Sequence, residues 1–177
     1  ADVVVDFSTP DSAPENARLC LEAGVHCVMG TSGADFSSLA GVGEANLFVA
    51  PNFAIGAVLM MRFAEQAAPH FGNVEIIERH HENKLDAPSG TALRTARLIN
   101  ESRGKPWAEV ADATESLSGS RGGDEKGVRV HSVRVPGSVA HQEVIFGAPG
   151  ETLTIRHDSL DRASFMPGVV LAVKKVG

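Results

Sequence analysis

The sequence predicts an α/β protein: a parallel sheet wound with helices, followed by an α+β unit whose open sheet holds roughly four strands. Three observations lead there. Residues 1–53 alternate short apolar β runs with helical stretches. A loop crowded with titratable groups, Glu78 to Ala92, joins an apolar run to a helical pattern. From Val128 onward the apolar residues recur with a period of two, the signature of half-buried strands.

Val3-Val4-Val5-Asp6-Phe7 is apolar without polar alternation, as expected of a strand covered on both faces. Ser12 and Glu15 stand at capping-box spacing with Pro14 in the first turn. A helix is therefore expected through Ala13, Ala17, Cys20 and Leu21, ending at Gly24. Val25–Met29 predicts a second strand, residues 34–42 a second helix, and Leu47-Phe48-Val49 a third strand. Small-residue turns, Gly30-Thr31-Ser32-Gly33 and Ala50-Pro51-Asn52-Phe53, follow the second and third strands. Parallel strands in such an order gather ligands at their carboxyl ends. Neither a G-x-G-x-x-G fingerprint nor a Walker-type loop occurs, so no glycine motif argues for nucleotide phosphate binding.

Ile55 to His70 predicts an amphipathic helix with Ile55, Val58, Leu59, Phe63 and Ala67 on its apolar stripe. Met60 and Met61 read as core filling. Val74-Glu75-Ile76-Ile77 is a strand entering a buried sheet, and Ser89 opens a helix with Ala92, Ala96 and Ile99 on one face and Leu93 beside them. Residues 103–127, rich in Gly, Ser and alternating charge, predict a long surface loop. Strands are expected at Val128–Val135, Ser138–Phe146 and Glu151–Arg156, joined by Pro136-Gly137 and Pro149-Gly150 turns. Together with Val74–Ile77 they form an open sheet whose bare face or edge needs covering. From Arg162 a last helix carries Phe165, Val169, Val170 and Val173, with Gly168 a weak point inside it.

At 177 residues and 43% hydrophobic content the chain holds one ordinary domain or two small ones. A net charge of −6 without a basic cluster argues against nucleic acid as a partner. No apolar run approaches a membrane span and no signal-like start is visible. Cys20 and Cys27 are the only cysteines; free thiols in a reducing cytoplasm are expected, and two cysteines alone make no metal site.

The chemistry gathers between strand and helix. His80 and His81 carry imidazoles that can give or take a proton near neutrality. Lys84 is a compact cation, and the first amides of the Ser89 helix, those of Gly90 and Thr91, add a second positive feature. Gly90 lets a ligand approach the backbone. The set suits a small anion with one or more carboxylates and an imidazole beside its reacting carbon. Taken singly, each residue has a plainer explanation: a strand-end histidine, a solvated lysine, an ordinary N-cap. Their density in one loop favours a site. Asp86 reads as a loop orienter or cap, and His131, His141 and His157 as packing or interface histidines.

Read as E-x-H-H-x-x-K-x-D-A-P-S-G-T-A, with Arg79, Glu82, Asn83 and Leu85 in the free positions, the run from Glu78 to Ala92 resembles the signature of the dihydrodipicolinate reductases. The likeness extends through Val3–Phe7, Gly30–Gly33, Ala50–Phe53 and His157–Arg162, and its tenor is similar to the actinobacterial branch. It implies a Rossmann-type dinucleotide-binding domain over residues 1–53 and 162–177, incomplete at the glycine-rich half, and a substrate-binding and oligomerisation domain over residues 54–161. It also implies NADH- or NADPH-dependent reduction of 4-hydroxy-tetrahydrodipicolinate to tetrahydrodipicolinate, in diaminopimelate and lysine biosynthesis. The implied assembly is a cytoplasmic homotetramer packed through its open sheet. On this resemblance His80 is the general acid, and Lys84 stabilises developing charge or relays the proton. His81, Lys84, Ser89, Gly90, Thr91 and Arg162 grip the dicarboxylate. Gly30, Thr31, Ser32, Ala50, Pro51, Asn52 and Phe53 contact the nicotinamide side; Ser32 stands where many members have threonine.

Two rivals come from other classes. A metal-dependent hydrolase would use His80, His81, Glu82 and Asp86, but the spacing matches no H-E-x-x-H arrangement and a lysine intrudes. A non-catalytic oligomeric binding module is the other.

Overall fold

Apolar runs at Val3–Asp6 (β1), His26–Met29 (β2) and Leu47–Val49 (β3) pair side by side into a parallel sheet of three strands in the order β1-β2-β3. This computed structural model describes residues 1–31, 33–108 and 114–177. Ser32, expected among the cofactor contacts, lies outside the described residues. The chain divides into two compact units, Ala1–Ile55 with Ala163–Gly177, and Gly56–Arg162.

In the first unit β2 is the buried strand, with Cys27, Val28 and Met29 fully enclosed. β1 is not covered on both faces as its apolar run suggests: Val5 is exposed, and on the other outer strand, β3, Phe48 and Val49 are exposed too. Helix α1 (Ala13–Glu22) packs Ala13, Ala17 and Leu21 against Cys27 and Met29. The expected capping box does not form. Ser12 already has helical torsions (φ −96°, ψ −24°), so its hydroxyl donates back to the Thr9 carbonyl (3.3 Å), and Glu15 pairs with Arg18 (3.5 Å). The second helix expected over 34–42 shrinks to a 3-10 turn at Ser37–Leu39. Left-handed Gly33 (φ 88°) and Gly41 (φ 80°) bound it and leave too little chain to propagate a helix.

In the second unit β4 (Asn73–His80) lies at the centre of a mixed sheet of five strands, ordered β5-β6-β4-β7-β8. It runs parallel to β6 (Val128–Arg134) and antiparallel to β7 (Ala140–Ala148), which pairs with β8 (Glu151–Ser159). The fifth strand, β5 (Gly123–Glu125), rises from the stretch read as loop. Lys126 (φ 52°) and Gly127 (φ 89°) turn it back onto β6, and Asp124 accepts the Gly127 amide (3.0 Å). Helices α2 (Ile55–Ala67) and α3 (Gly90–Arg103) bury Met60, Met61, Ala64, Ala96 and Ile99 against Ile76, Val130, Val144 and Phe146.

The buried face of α2 is not the expected stripe. Ala57, Met60, Met61 and Ala64 face inward, while Ile55, Val58, Leu59 and Phe63 are exposed. The helix is apolar almost all round, so periodicity cannot choose a face. Small alanines and pliable methionines let it sit close to the sheet.

Helix α4 (Met166–Lys175), entered by a 3-10 turn at Arg162–Phe165, closes the first unit. Val169, Ala172 and Val176 pack on Val28 and Phe53. Gly168 is a packing device rather than a defect: a Cβ there would collide with the Phe53 carbonyl oxygen.

Candidate functional site at the carboxyl end of strand β4

Alternation along β4 turns Val74, Ile76 and Glu78 toward the helices, and all three are buried. Glu78 is 0% exposed. A carboxylate on the core face of a strand is costly unless its oxygens are satisfied, and here four donors reach it. Arg134 donates from Nη2 to Oε1 (2.8 Å) and from Nη1 to Oε2 (2.9 Å). The Ser89 amide donates to Oε1 (3.2 Å), and His80 Nδ1 lies 2.5 Å from Oε2. The register explains the convergence: Ser132 stands opposite Glu78 and Arg134 opposite His80, so the guanidinium need only lean back along the strands. Burial pushes the Glu78 carboxyl up, but hydrogen bonds with His80, Arg134 and Ser132 outweigh it and hold it at about 2. Glu78 is therefore an anion at neutral pH.

From this buried pair the signature loop is suspended. Arg134 Nη2 also donates to the Asp86 carbonyl (2.7 Å), and the Asp86 carboxylate takes Lys84 Nζ (2.6 Å). Burial pushes the Asp86 carboxyl up, but Lys84 outweighs it and holds the group below its usual range. The Lys84 amide donates to the His81 carbonyl (3.2 Å), folding the loop into a turn, and the Ala87–Pro88 peptide is cis. Ser89 then caps α3: its Oγ accepts the Ala92 amide (3.2 Å) while the residue itself is buried. Gly90, the first residue of α3, is exposed, and a Cβ there would meet nothing within 4 Å. The open side of a helix N-terminus can receive an anion.

Of the residues expected to act on a dicarboxylate, the structure joins His80, Lys84 and Ser89 through Glu78, Arg134 and Asp86. Gly90 and Thr91 follow Ser89 directly, and His81, half-buried, sits between strand and turn. Arg162 is exposed at the head of its 3-10 turn, and the bonds just described do not include it. Glu78 and Arg134 are what sequence reasoning missed. One signal was present: Ile76, Glu78 and His80 alternate, which puts a carboxylate on the core face and calls for a cationic partner.

In the first unit the turn residues gather at one end of the parallel sheet. Asp6 accepts the amide (2.7 Å) and hydroxyl (2.6 Å) of Ser8 and the carboxamide of Asn16 (2.8 Å). Thr31 donates its hydroxyl to the Ser8 carbonyl (3.1 Å), and Asn52 Oδ1 accepts the Ala54 amide (2.8 Å). Gly30 lies against the Phe7 ring, where a Cβ would collide. Ala50 donates its amide to the Met29 carbonyl (3.1 Å) and leads into Pro51, which is exposed. Phe53 is buried, edge-on to Phe7 and Phe48.

Of the three histidines read as packing or interface groups, His131 pairs with Glu75 (2.7 Å) and His141 with Asp158 (2.6 Å) on the second sheet. Two of the four hydrolase candidates are otherwise engaged, His80 with Glu78 and Asp86 with Lys84. Among the described residues no group of three or more His, Cys, Asp or Glu side chains is arranged to hold a metal ion. Cys20 and Cys27 are free; burial, then neighbouring Cys20, push the Cys27 thiol up to about 12, which keeps Cys27 from serving as a thiolate nucleophile. No helix among the described residues is long and apolar enough to cross a membrane.

The chain joins a parallel α/β unit to an α+β unit with a mixed sheet. Scyllo-inositol dehydrogenase from Lactobacillus casei shares the fold at a TM-score of 0.52 and 11% identity, over 98% of this chain and 67% of that one. The chain belongs to the dihydrodipicolinate reductase family, whose N-terminal model matches residues 1–53 and whose C-terminal model matches residues 56–177. It is 56% identical to a 4-hydroxy-tetrahydrodipicolinate reductase from Nocardia farcinica, over 99% of this chain and 75% of the relative. The corresponding reductase from Listeria monocytogenes is 54% identical, over 98% of this chain and 68% of the relative. The dipicolinate-bound dihydrodipicolinate reductase from Paenisporosarcina sp. TG-14 superposes at a TM-score of 0.84 with 48% identity, over 99% of this chain and 68% of that one.

The family implies a nicotinamide cofactor, and the turns of the first unit fit its nicotinamide end. The hydroxyl of Thr31, the carboxamide of Asn52 and the peptide groups around Pro51 are neutral donors and acceptors at the carboxyl ends of parallel strands. That is the chemistry a carboxamide-bearing ring requires.

Proposed function

We propose that the chain reduces 4-hydroxy-tetrahydrodipicolinate to tetrahydrodipicolinate, the reductive step of diaminopimelate and lysine biosynthesis, with NADH or NADPH. A bound nicotinamide supplies the hydride. Gly30, Thr31, Ala50, Pro51, Asn52 and Phe53, with Ser32, hold its carboxamide end by hydroxyl, amide and peptide groups. His80 delivers the proton that completes the reduction from Nε2, the ring nitrogen away from Glu78, as a general acid. Lys84 exchanges Asp86 for a substrate carboxylate and stabilises developing negative charge. The second carboxylate is held at the start of α3 by Ser89, Gly90 and Thr91, with His81 alongside. Arg162 is the remaining cation for this dicarboxylate, suited by its bidentate guanidinium.

The observation that carries the reading is the cluster at the end of β4: an imidazole held by a buried carboxylate, beside a lysine loop and an open helix N-terminus. Residues 1–53 with 162–177 form the dinucleotide domain in this reading, and residues 54–161 the substrate and assembly domain. The protein works in the cytoplasm as a homotetramer, associated through the outer face of the second sheet, where Ile77 and Val133 are exposed. Steady-state oxidation of NADH and of NADPH with the substrate tests the activity. Turnover with at least one is expected, and none with either sinks the proposal. Light scattering of the same sample tests the tetramer.

A further inference from the structure

An imidazole that gives up a proton must present the right nitrogen, and His80 has only one nitrogen engaged with Glu78. A carboxylate has lone pairs and no proton to offer, so a 2.5 Å approach to Nδ1 requires that Nδ1 carry the hydrogen. Glu78 cannot swing away. Both oxygens are taken by Arg134, one again by the Ser89 amide, and the side chain is wholly enclosed.

We propose that Glu78, locked by Arg134, is a positioning residue that fixes His80 in its Nδ1–H form, so that Nε2 is the nitrogen that delivers and regains the proton. This rests on His80 being the acid proposed above, and it adds what aims that acid. When Nε2 is protonated, both ring nitrogens carry hydrogen and Nδ1–H still faces Glu78. When Nε2 has given up its proton to the substrate, the neutral ring is left in the tautomer it needs for reloading from water. The same pair reaches further: Ser89 ties the start of α3 to Glu78, and the Asp86 carbonyl ties the lysine loop to Arg134. One buried ion pair thus sets the acid, the cation and the helix N-terminus in a common frame.

Nitrogen-15 NMR of histidine-labelled full-length protein, without substrate or cofactor, reads the tautomer directly. The neutral His80 ring should be Nδ1–H; an Nε2–H ring overturns the proposal. In Glu78→Gln the new amide can donate to Nδ1, so the ring should shift toward Nε2–H. kcat should then fall on the order of 100-fold with KM within about threefold. Unchanged kcat, or an unchanged tautomer in the variant, overturns it. Should the variant fail to fold, the unmodified protein's tautomer still decides. The two readings fail separately. Full turnover in His80→Gln removes the acid assignment and this inference with it, whereas an Nε2–H ring in an enzyme that His80→Gln inactivates removes the positioning role alone.

Discussion

The carboxyl end of β4 and the carboxyl ends of β1 to β3 solve the same topological problem with opposite chemistry. Each leads strand into turn, and each is where an α/β protein exposes groups to a ligand. At β4 the turn hangs from a fully buried carboxylate and its arginine, and charged side chains run outward from it to Lys84. In the first unit Thr31 and Asn52 satisfy nearby backbone groups, and the ring of Phe53 is buried edge-on to Phe7 and Phe48. On the proposed reading, the first-unit turns hold a nicotinamide by shape and neutral hydrogen bonds, whereas the β4 end moves a proton and grips carboxylates, which asks for charge whose position water cannot blur.

If that contrast is right, single changes should hurt unequally. The largest effect is expected for His80→Gln: kcat lower by about 10²–10⁴-fold with little change in KM, read by steady-state kinetics. An equal loss in KM would move His80 from proton transfer to binding.

Acid should attack the β4 end next. The Glu78 carboxyl titrates at about 2 in the fold against an ordinary 4.5. As pH falls the unfolded chain takes the proton first, so the stabilisation is complete above about 4.5 and is lost toward 2. Denaturant unfolding across that window should show a decline on the order of 3 kcal/mol from this group, flattened in Glu78→Gln. An equally steep variant would count against the clamp.

Lys84→Ala should weaken pyridine-2,6-dicarboxylate by roughly 10- to 100-fold in calorimetry, the size of one charge-assisted hydrogen bond. Equal affinity would leave the ammonium as a partner of Asp86 only. The smallest effect belongs to the first unit. Thr31→Val removes the hydroxyl given to the Ser8 carbonyl and should cost about 1 kcal/mol of stability by thermal unfolding. A loss as large as that at Glu78 would erase the contrast.

How much of this could be read from the chain follows from distance in sequence. The strands announced themselves as apolar runs, and Ser89 announced α3, because a strand's period and a helix cap are local. His80, Lys84 and Ser89 fell within one loop and were legible together. Arg134 was not, since it lies 56 positions beyond Glu78 and only the parallel pairing of β4 with β6 brings them together. β5 hid because Gly-Asp-Glu has no apolar period; its pairing comes from the turn at Lys126 and Gly127. The buried side of α2 hid for the opposite reason, apolar residues on every side. At 34–42 glycine torsions overrode a passable helical pattern.

Gly168 has an engineering consequence. A protein chemist seeking a tougher enzyme would choose this interior helical glycine first for replacement by alanine, on propensity alone. The backbone of α4 already rests on the carbonyl of Phe53, so even one methyl would wedge the helix off the core it covers. Thermostabilisation at this position is closed.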